Sequence, residues 1–300
     1  SFDSPLHVEV RVLIFWGCAV ARILGLGDNT IDTYVSTRTQ YPGGNAVNVA
    51  ALTARLGASA AYLGCVGNDE GGALICSALA AEGVDTTRVR IRPGANARAF
   101  VDHIDGDRHF ISSSPGVRAE YQWEEADFSY ISEFDHVHTS VYSELEDDLP
   151  RVAASAASLS LDVSNRWDHD YLNRVLPFVR YLFLSAPNLP DSEARDLARL
   201  CLVGRPEAVV LTRGGNGALG MNSKSTVVQP AVPTTVVDTM GAGDAFISGF
   251  LTSTLQGDEL DSAMSKAAEF AAVACSWQGG FGHGVPWEGN VDAVRAGAIR

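Results

Sequence analysis

Positive charge is scarce in this chain: 22 Lys and Arg stand against 36 Asp and Glu, a formal net charge of −14. No basic cluster offsets that balance, which excludes nucleic acid as a partner class. It does not exclude a small phosphate ligand, because a helix N terminus, a metal and a few local cations suffice to hold one. Long apolar runs are missing as well. Val12–Ala21 follows Arg11 and ends in Ala-x-Ala, which imitates a short signal peptide, but it is too short to span a bilayer, so no membrane partner is expected. The five cysteines (Cys18, Cys65, Cys76, Cys201, Cys275) are odd in number, scattered and without metal spacing. They read as free thiols in a reducing cytoplasm rather than as a disulfide framework or a zinc site. There is no Gly-x4-Gly-Lys-Ser/Thr sequence, which disfavours a P-loop kinase, and no internal repeat or low-complexity tract.

What remains is the composition of a globular enzyme-sized chain, 300 residues with 46% hydrophobic, enough to bury a large core. Short apolar runs alternate with helical spacing, the order of a doubly wound α/β sheet. The runs predict strands at Ile23–Leu26, Ala60–Val66, Tyr130–His138, Ser160–Val163, Tyr181–Leu184, Ala208–Thr212 and Val227–Gln229. Helices are predicted at Ala46–Leu56, Glu70–Glu82, Leu149–Leu159, His169–Val179, Ser192–Cys201, Ala242–Gln256 and Leu260–Gln278. Ala97–Ile104 and Arg108–Ser113 break the alternation. Asp105-Gly106-Asp107 separates them, a hairpin signal for a small sheet projecting from the main layer or for an ordinary edge hairpin.

Two motifs carry chemistry. Asp238-Thr239-Met240-Gly241-Ala242-Gly243-Asp244 lies between a strand-like run, Thr234–Val237, and the helix whose apolar spacing runs through Phe246, Ile247, Phe250, Leu251 and Leu255. Small residues at a helix start let the amides of Gly241, Ala242 and Gly243 converge on an anion, which the helix dipole also favours. A carboxylate there weakens an anion site unless it has another task. For Asp244 that task is to take the proton from a hydroxyl attacking a neighbouring phosphate. The second motif is Gly43-Gly44-Asn45-Ala46-Val47-Asn48, opening a helix that Gly57 stops. Asn45 and Asn48 offer amides to sugar hydroxyls, although Asn45 is equally suited to a helix N-cap.

Together these two motifs identify the chain as similar to the ribokinase-like, or PfkB-type, carbohydrate kinases, over roughly Ile23 to Gly284. Gly27-Asp28-Asn29-Thr30-Ile31-Asp32, Asp162-Val163-Ser164-Asn165-Arg166-Trp167-Asp168 and Ser185-Ala186-Pro187 direct the resemblance to members acting on fructosamine sugars. The resemblance implies an α/β ribokinase-like fold: a doubly wound, mainly parallel sheet with helices on both faces and a small β-sheet lid. Residues 1–21 would be an N-terminal extension of no assigned function. Residues 22–300 would form one kinase domain, its lid built from about 30–41 and 97–113.

The implied activity is ATP-dependent transfer of the γ-phosphoryl group to a sugar hydroxyl, with fructoselysine or a related fructosamine accepting at its 6-hydroxyl. Ribose, fructose, a sugar acid or a nucleoside are the alternative acceptors; a sugar-binding protein without catalysis is a remote one, since Asp244, Gly241 and Gly243 are all present. Asp28, Asn29, Asp32, Gly43, Gly44, Asn45, Asn48, Arg98, Arg166 and Trp167 are the expected sugar contacts. Without the resemblance Asp28 and Asp32 would read as turn or cap residues, and Arg166 with Trp167 equally as a grip on the carboxylate or aliphatic arm of an aminoacylated sugar or as a surface Arg beside a half-buried Trp. Tyr142 and His138 are weaker candidates, His138 reading as a core hydrogen-bonding residue. Asn188, Thr212, Gly214, Gly217, Asp238 and Thr239 are the expected nucleotide contacts. Asp191 stands where many relatives carry a glutamate that organises Mg²⁺ indirectly. ATP and Mg²⁺ are therefore the expected cofactors. The resemblance leaves K⁺ open as a third, near residues 274–283. A cytoplasmic location and a homodimer through the lid strands complete the expectations.

Overall fold

Runs of Val, Leu, Ile and small residues bounded by turn residues become strands here because helices cover both faces of the sheet they form. The structure is a computed structural model that describes residues 20–104 and 107–295. Its first half runs β1 (Arg22–Gly27), β2 (Thr30–Tyr34), β3 (Thr39–Gly43), α1 (Asn45–Arg55), β4 (Ser59–Gly67), α2 (Glu70–Ala81), β5 (Arg90–Arg92), β6 (Arg98–Ile104), β7 (Asp107–Ser114), α3 (Glu125–Ile131) and β8 (His136–Ser140). The second runs α4 (Leu149–Ser155), β9 (Leu159–Asp162), α5 (His169–Val175), β10 (Tyr181–Ser185), α6 (Asp191–Leu202), β11 (Ala208–Thr212), β12 (Ala218–Asn222), β13 (Thr226–Gln229), α7 (Ala242–Leu255), α8 (Leu260–Ala274), β14 (Val285–Pro286) and α9 (Val291–Arg295).

The main sheet has the order β13-β12-β11-β10-β9-β8-β1-β4-β5, parallel except for the antiparallel edge at β12 and β13. Leu24, Leu63, Val137, Leu161 and Leu182 face helices α3 to α6 on one side. Tyr62, Val66, Phe183 and Val210 face α1, α2, α7 and α8 on the other. A smaller five-stranded sheet, β14-β3-β2-β6-β7, is the predicted hairpin joined by the 30–43 segment and by β14. Its turn residues 105–106, like residues 1–19 of the expected extension and Cys18, lie outside the described residues.

Several boundaries move. The strand predicted over Tyr130–His138 begins only at His136, because Tyr130 and Ile131 belong to α3. Helix α3 starts with a reciprocal cap between Glu124 and Asp127, and Asp127 is also gripped by Arg90 at 2.7 and 2.8 Å. The helix expected to reach Leu159 stops at Ser155, and Leu159 opens β9; that expected to reach Gln278 stops at Ala274. The helix expected over His169–Val179 is α-helical only to Val175 and continues as a 3-10 turn over Leu176–Phe178. Thr234–Val237 is not a strand: Val236 and Val237 are exposed, and the Val237 and Asp238 amides donate to the Cys275 carbonyl just past α8.

Candidate active site

The chain leaves β1 at its carboxyl end and turns through Asp28 and Asn29 before entering the smaller sheet. Asp28 is buried, and its carboxylate accepts from the amides of Asn45 (2.7 Å) and Ala46 (3.3 Å) and from the hydroxyls of Ser140 (2.7 Å) and Ser143 (3.0 Å). It therefore caps the first turn of α1 from a distance in sequence, rather than standing ready for a sugar. Asn29 corrects in the same way. Its amide nitrogen donates to the Tyr62 hydroxyl and the Cys65 carbonyl, and its oxygen accepts from Asn96. Gly44 enters α1 at φ 101°, where a Cβ would lie 2.5 Å from the Asn29 backbone, so a side chain there is excluded twice over. Gly43 lies against the Asp32 carboxylate.

Asn45 and Asn48, one turn apart on α1, both reach Asp244. Asn45 Nδ2 donates to Oδ1 at 2.8 Å and Asn48 Nδ2 to Oδ2 at 2.6 Å. Asp244 is the third residue of α7, which begins after Gly241 in the left-handed region at φ 74°. A Cβ on Gly241 would strike the Gly280 backbone at 2.7 Å. Of the three amides expected to form the anion hole, that of Ala242 is committed to the Thr239 carbonyl at 3.2 Å. Among the described residues those of Gly241 and Gly243 meet no acceptor, and neither does that of Asp244. The uncommitted amides at this helix start are thus those of Gly241, Gly243 and Asp244, while that of Ala242, one of the expected trio, is engaged.

A second carboxylate joins the first. Asp162, at the end of β9, accepts from the same Asn45 nitrogen at 3.0 Å and from the Ser164 amide at 2.8 Å. Burial pushes the Asp244 carboxyl up to about 6, with Asp28 adding to the rise and Asn48 and Asn45 opposing it. Burial likewise pushes Asp162 up to about 7, opposed by the Ser164 amide and assisted by Asp244 and Asp28. Two carboxyls sharing one donor and raised toward neutrality are suited to proton transfer at physiological pH. Tyr142 is 45% exposed, donates to Ser164 Oγ at 2.9 Å, and feels Asp162, Asp28 and Asp244, which places an aromatic ring beside the carboxylates.

The remaining predicted residues divide. Asp32 lies on the face of the smaller sheet that carries Tyr34 and Tyr41, and this face packs on Met240 just ahead of α7. Arg98 points the other way. It shares a face with Thr33 and Gln40 and donates to both, at 2.6 and 2.7 Å, so it does not join the site. Trp167 is tied to the Ser185 carbonyl at 3.2 Å and packs on the core, while Arg166 is exposed. Asn188 and the Thr212–Gly217 loop follow the carboxyl ends of β10 and β11, Gly214 and Gly217 both at positive φ. Asp238 corrects: its carboxylate accepts from the Tyr34 hydroxyl (2.5 Å) and from the amides of Gly279 (3.0 Å) and Met240 (2.9 Å), and it is buried. Thr239 is exposed beside it. Asp191, at the start of α6, is ion-paired with Arg213 at 2.5 Å. Among the described residues no three His, Cys, Asp or Glu side chains converge as a metal site, and no helix is long and apolar enough to cross a membrane.

A carboxyl raised toward neutrality beside uncommitted amides at a helix N terminus, at the carboxyl ends of a doubly wound sheet, is an arrangement suited to group transfer in an α/β enzyme. The chain belongs to the pfkB family of carbohydrate kinases, whose family model matches residues 18–283. It is 41% identical over 270 residues to fructosamine kinase FrlD of Bacillus subtilis strain 168, spanning 89% of this chain and 95% of that one. It is 34% identical over 255 residues to fructoselysine 6-kinase of Shigella flexneri, spanning 85% and 97%. Arabidopsis thaliana ribokinase, solved with ribose and ATP, superposes with a TM-score of 0.78 at 20% identity, covering 93% of this chain and 99% of that one. The expected ribokinase-like fold is the observed one.

Proposed function

We propose that this carbohydrate kinase transfers the γ-phosphoryl group of ATP to the 6-hydroxyl of fructoselysine or a close fructosamine. The observation that carries the reading is the arrangement at the start of α7. Asp244 is held by Asn45 and Asn48 next to the Gly241 and Gly243 amides. Asp244 accepts the proton of the attacking hydroxyl, and those amides, with the helix dipole behind them, receive the negative charge spread over the migrating phosphoryl group. The names of the two relatives supply the sugar class. The exposed Arg166 on the loop after β9 then meets the carboxylate of the lysine arm, and Tyr142 flanks the sugar.

The smaller sheet acts as a lid. Tyr34, on β2, already bonds to Asp238 just ahead of those amides, so Asp32 and the amides close on the same substrate and water is kept out. The Thr212–Gly217 loop and Asn188 lie on the nucleotide side. Mg²⁺ would be held through the phosphates and water rather than by a protein cage, since no cluster of metal-ligating side chains converges among the described residues. Bound there, it would neutralise phosphate charge. ATP use assigns the enzyme to the cytoplasm. The exposed Phe110 on edge strand β7 is the contact expected in a homodimer, which light scattering would reveal.

Release of ADP with fructoselysine, fructose, ribose and a nucleoside as acceptors tests the assignment. Fructoselysine is expected to lead in kcat/KM by at least about tenfold; ribose turnover with none on fructoselysine would overturn it. Asp244→Asn is expected to lower kcat by about 10²–10⁴ with ATP affinity kept. A variant retaining more than about a tenth of the rate would remove the base assignment.

A further inference from the structure

Two histidines, His136 and His138, sit in the middle of the main sheet with no solvent exposure. They are two residues apart on β8 and so share a face. Strand β9 sets Ser160 opposite His138, with Ser158 just ahead of the strand. The contacts form a single line. Ser158 Oγ lies 2.9 Å from His136 Nδ1, His136 Nε2 lies 2.8 Å from Ser160 Oγ, and Ser160 Oγ lies 2.7 Å from His138 Nδ1. His138 Nε2 then lies 2.8 Å from Asn45 Oδ1, beneath the two carboxylates.

Counting protons gives the line a direction. Asn45 Nδ2 donates to Asp244 and Asp162, which leaves Oδ1 to accept from His138. His138 Nε2 therefore carries the hydrogen, and Nδ1 must accept from Ser160. Ser160 has a single hydrogen, so its oxygen accepts from His136 Nε2–H, and His136 Nδ1 accepts from Ser158. Turning the Asn45 amide round would set its oxygen against carboxylate oxygens at 2.8 and 3.0 Å. Burial holds both imidazoles neutral: His138 is pushed down to about 3, and His136 well below the ordinary histidine range by burial, then by His138 and Arg180. A charged ring would have donors at both nitrogens and break the line.

We propose that His138 is a positioning residue for phosphoryl transfer: through a one-way hydrogen-bond ladder it fixes the Asn45 carboxamide so that both N–H groups face Asp244 and Asp162. The kinetic part rests on the kinase reading above; the proton placement does not. Without the ladder the amide turns in part of the population, and Asp244 loses a donor and gains a repelling acceptor. It then keeps its proton to higher pH. The titratable groups that face Asp244 are Asp28, Asp162 and Tyr142; of these Asp162 loses the same Asn45 donor when the amide turns, so the two carboxyls shift together.

His138→Leu is expected to lower kcat about 10–100-fold at pH 7, to move the acid limb of the kcat profile up by about one pH unit, and to leave KM for ATP within about twofold. His138→Gln, which returns an N–H donor toward Asn45, is expected to recover kcat to within about threefold of wild type. A folded His138→Leu protein with a wild-type pH profile overturns the proposal, as does a Gln variant no better than Leu. Ring ¹⁵N–¹H correlation spectra of the histidine-labelled wild-type protein give the test that needs no variant. Both buried rings must show the neutral Nε2–H tautomer from pH 6 to 9, and an Nδ1–H tautomer or a titration in that range overturns the ladder. If the spectra agree while fructoselysine is not phosphorylated, the substrate assignment fails and the ladder stands.

Discussion

At the scale of single residues, the site is governed by how many donors each carboxylate has. Asp28 has four and is spent on structure, whereas Asp244 and Asp162 share Asn45 and are left with raised proton affinity. A general base must be ionised to work, so a raised pKa brings the loss of activity up into the neutral range. With Asp244 near 6 and Asp162 near 7, kcat should fall below an apparent pKa between about 6 and 7, approaching tenfold per pH unit, the two groups titrating as a pair. Asp162→Asn removes a neighbouring negative charge and should move that limb to lower pH. A kcat flat down to pH 5 in saturating sugar and ATP would contradict both expectations. Asp244 was legible in the sequence because a carboxylate inside an anion-binding helix start has little reason to be there. Asp162 was not, since nothing in its own stretch shows that it meets a residue 82 positions further on (244 against 162). Asn29 and Asp238 were misread for the complementary reason: a polar residue in a motif can be wholly consumed by buried partners that only the fold supplies.

At the scale of elements, periodicity located α1, α2, α6 and α7 and, β8 apart, the central strands to within a residue or two. It failed where tertiary contacts or polar caps decide. Thr234–Val237 has β-branched residues but no neighbouring strand, and α3 is set by Glu124, Asp127 and Arg90 rather than by an apolar stripe. The helix that carries Asn45 and Asn48 is tied down at its far end. Arg55, at the end of α1, meets the Glu82 carboxylate beyond α2 at 2.7 and 2.5 Å, lies 4.5 Å over the Trp277 ring and donates to the Phe281 carbonyl. His283 reaches Glu82 at 2.5 Å. Burial raises the Glu82 carboxyl, but the bonds from Arg55 and His283 outweigh it and bring the value down to about 2 from the ordinary 4.5. A depressed carboxyl stabilises the fold above its unfolded pKa, and the contribution fades as pH falls from about 4.5 toward 2. Glu82→Gln should therefore cost about 1–3 kcal/mol in urea unfolding at pH 7, the gap from wild type narrowing by pH 3. Equal stabilities at pH 7 would show the staple to be idle.

At the scale of the whole molecule, the fold gathers residues from four places in the sequence, near 45, 138, 162 and 244, at the carboxyl ends of adjacent strands. The same molecule carries a net charge of −14 into an encounter with an anionic nucleotide. Repulsion of that kind acts over the Debye length, about 30 Å at 0.01 M salt and about 8 Å at 0.15 M, so salt should speed nucleotide capture rather than slow it. The expected outcome is a rise in kcat/KM for ATP of about two- to fivefold between 10 and 150 mM tetramethylammonium chloride at fixed KCl and MgCl2. A bulky ammonium salt separates screening from any specific cation requirement. The value for a fructosamine, which carries little net charge, should hold nearly constant over the same range. A fall for ATP would mean that local cations such as Arg166 and Arg213 shape the field at the site more strongly than the molecule's total charge. Substituting those two residues would then reverse the slope.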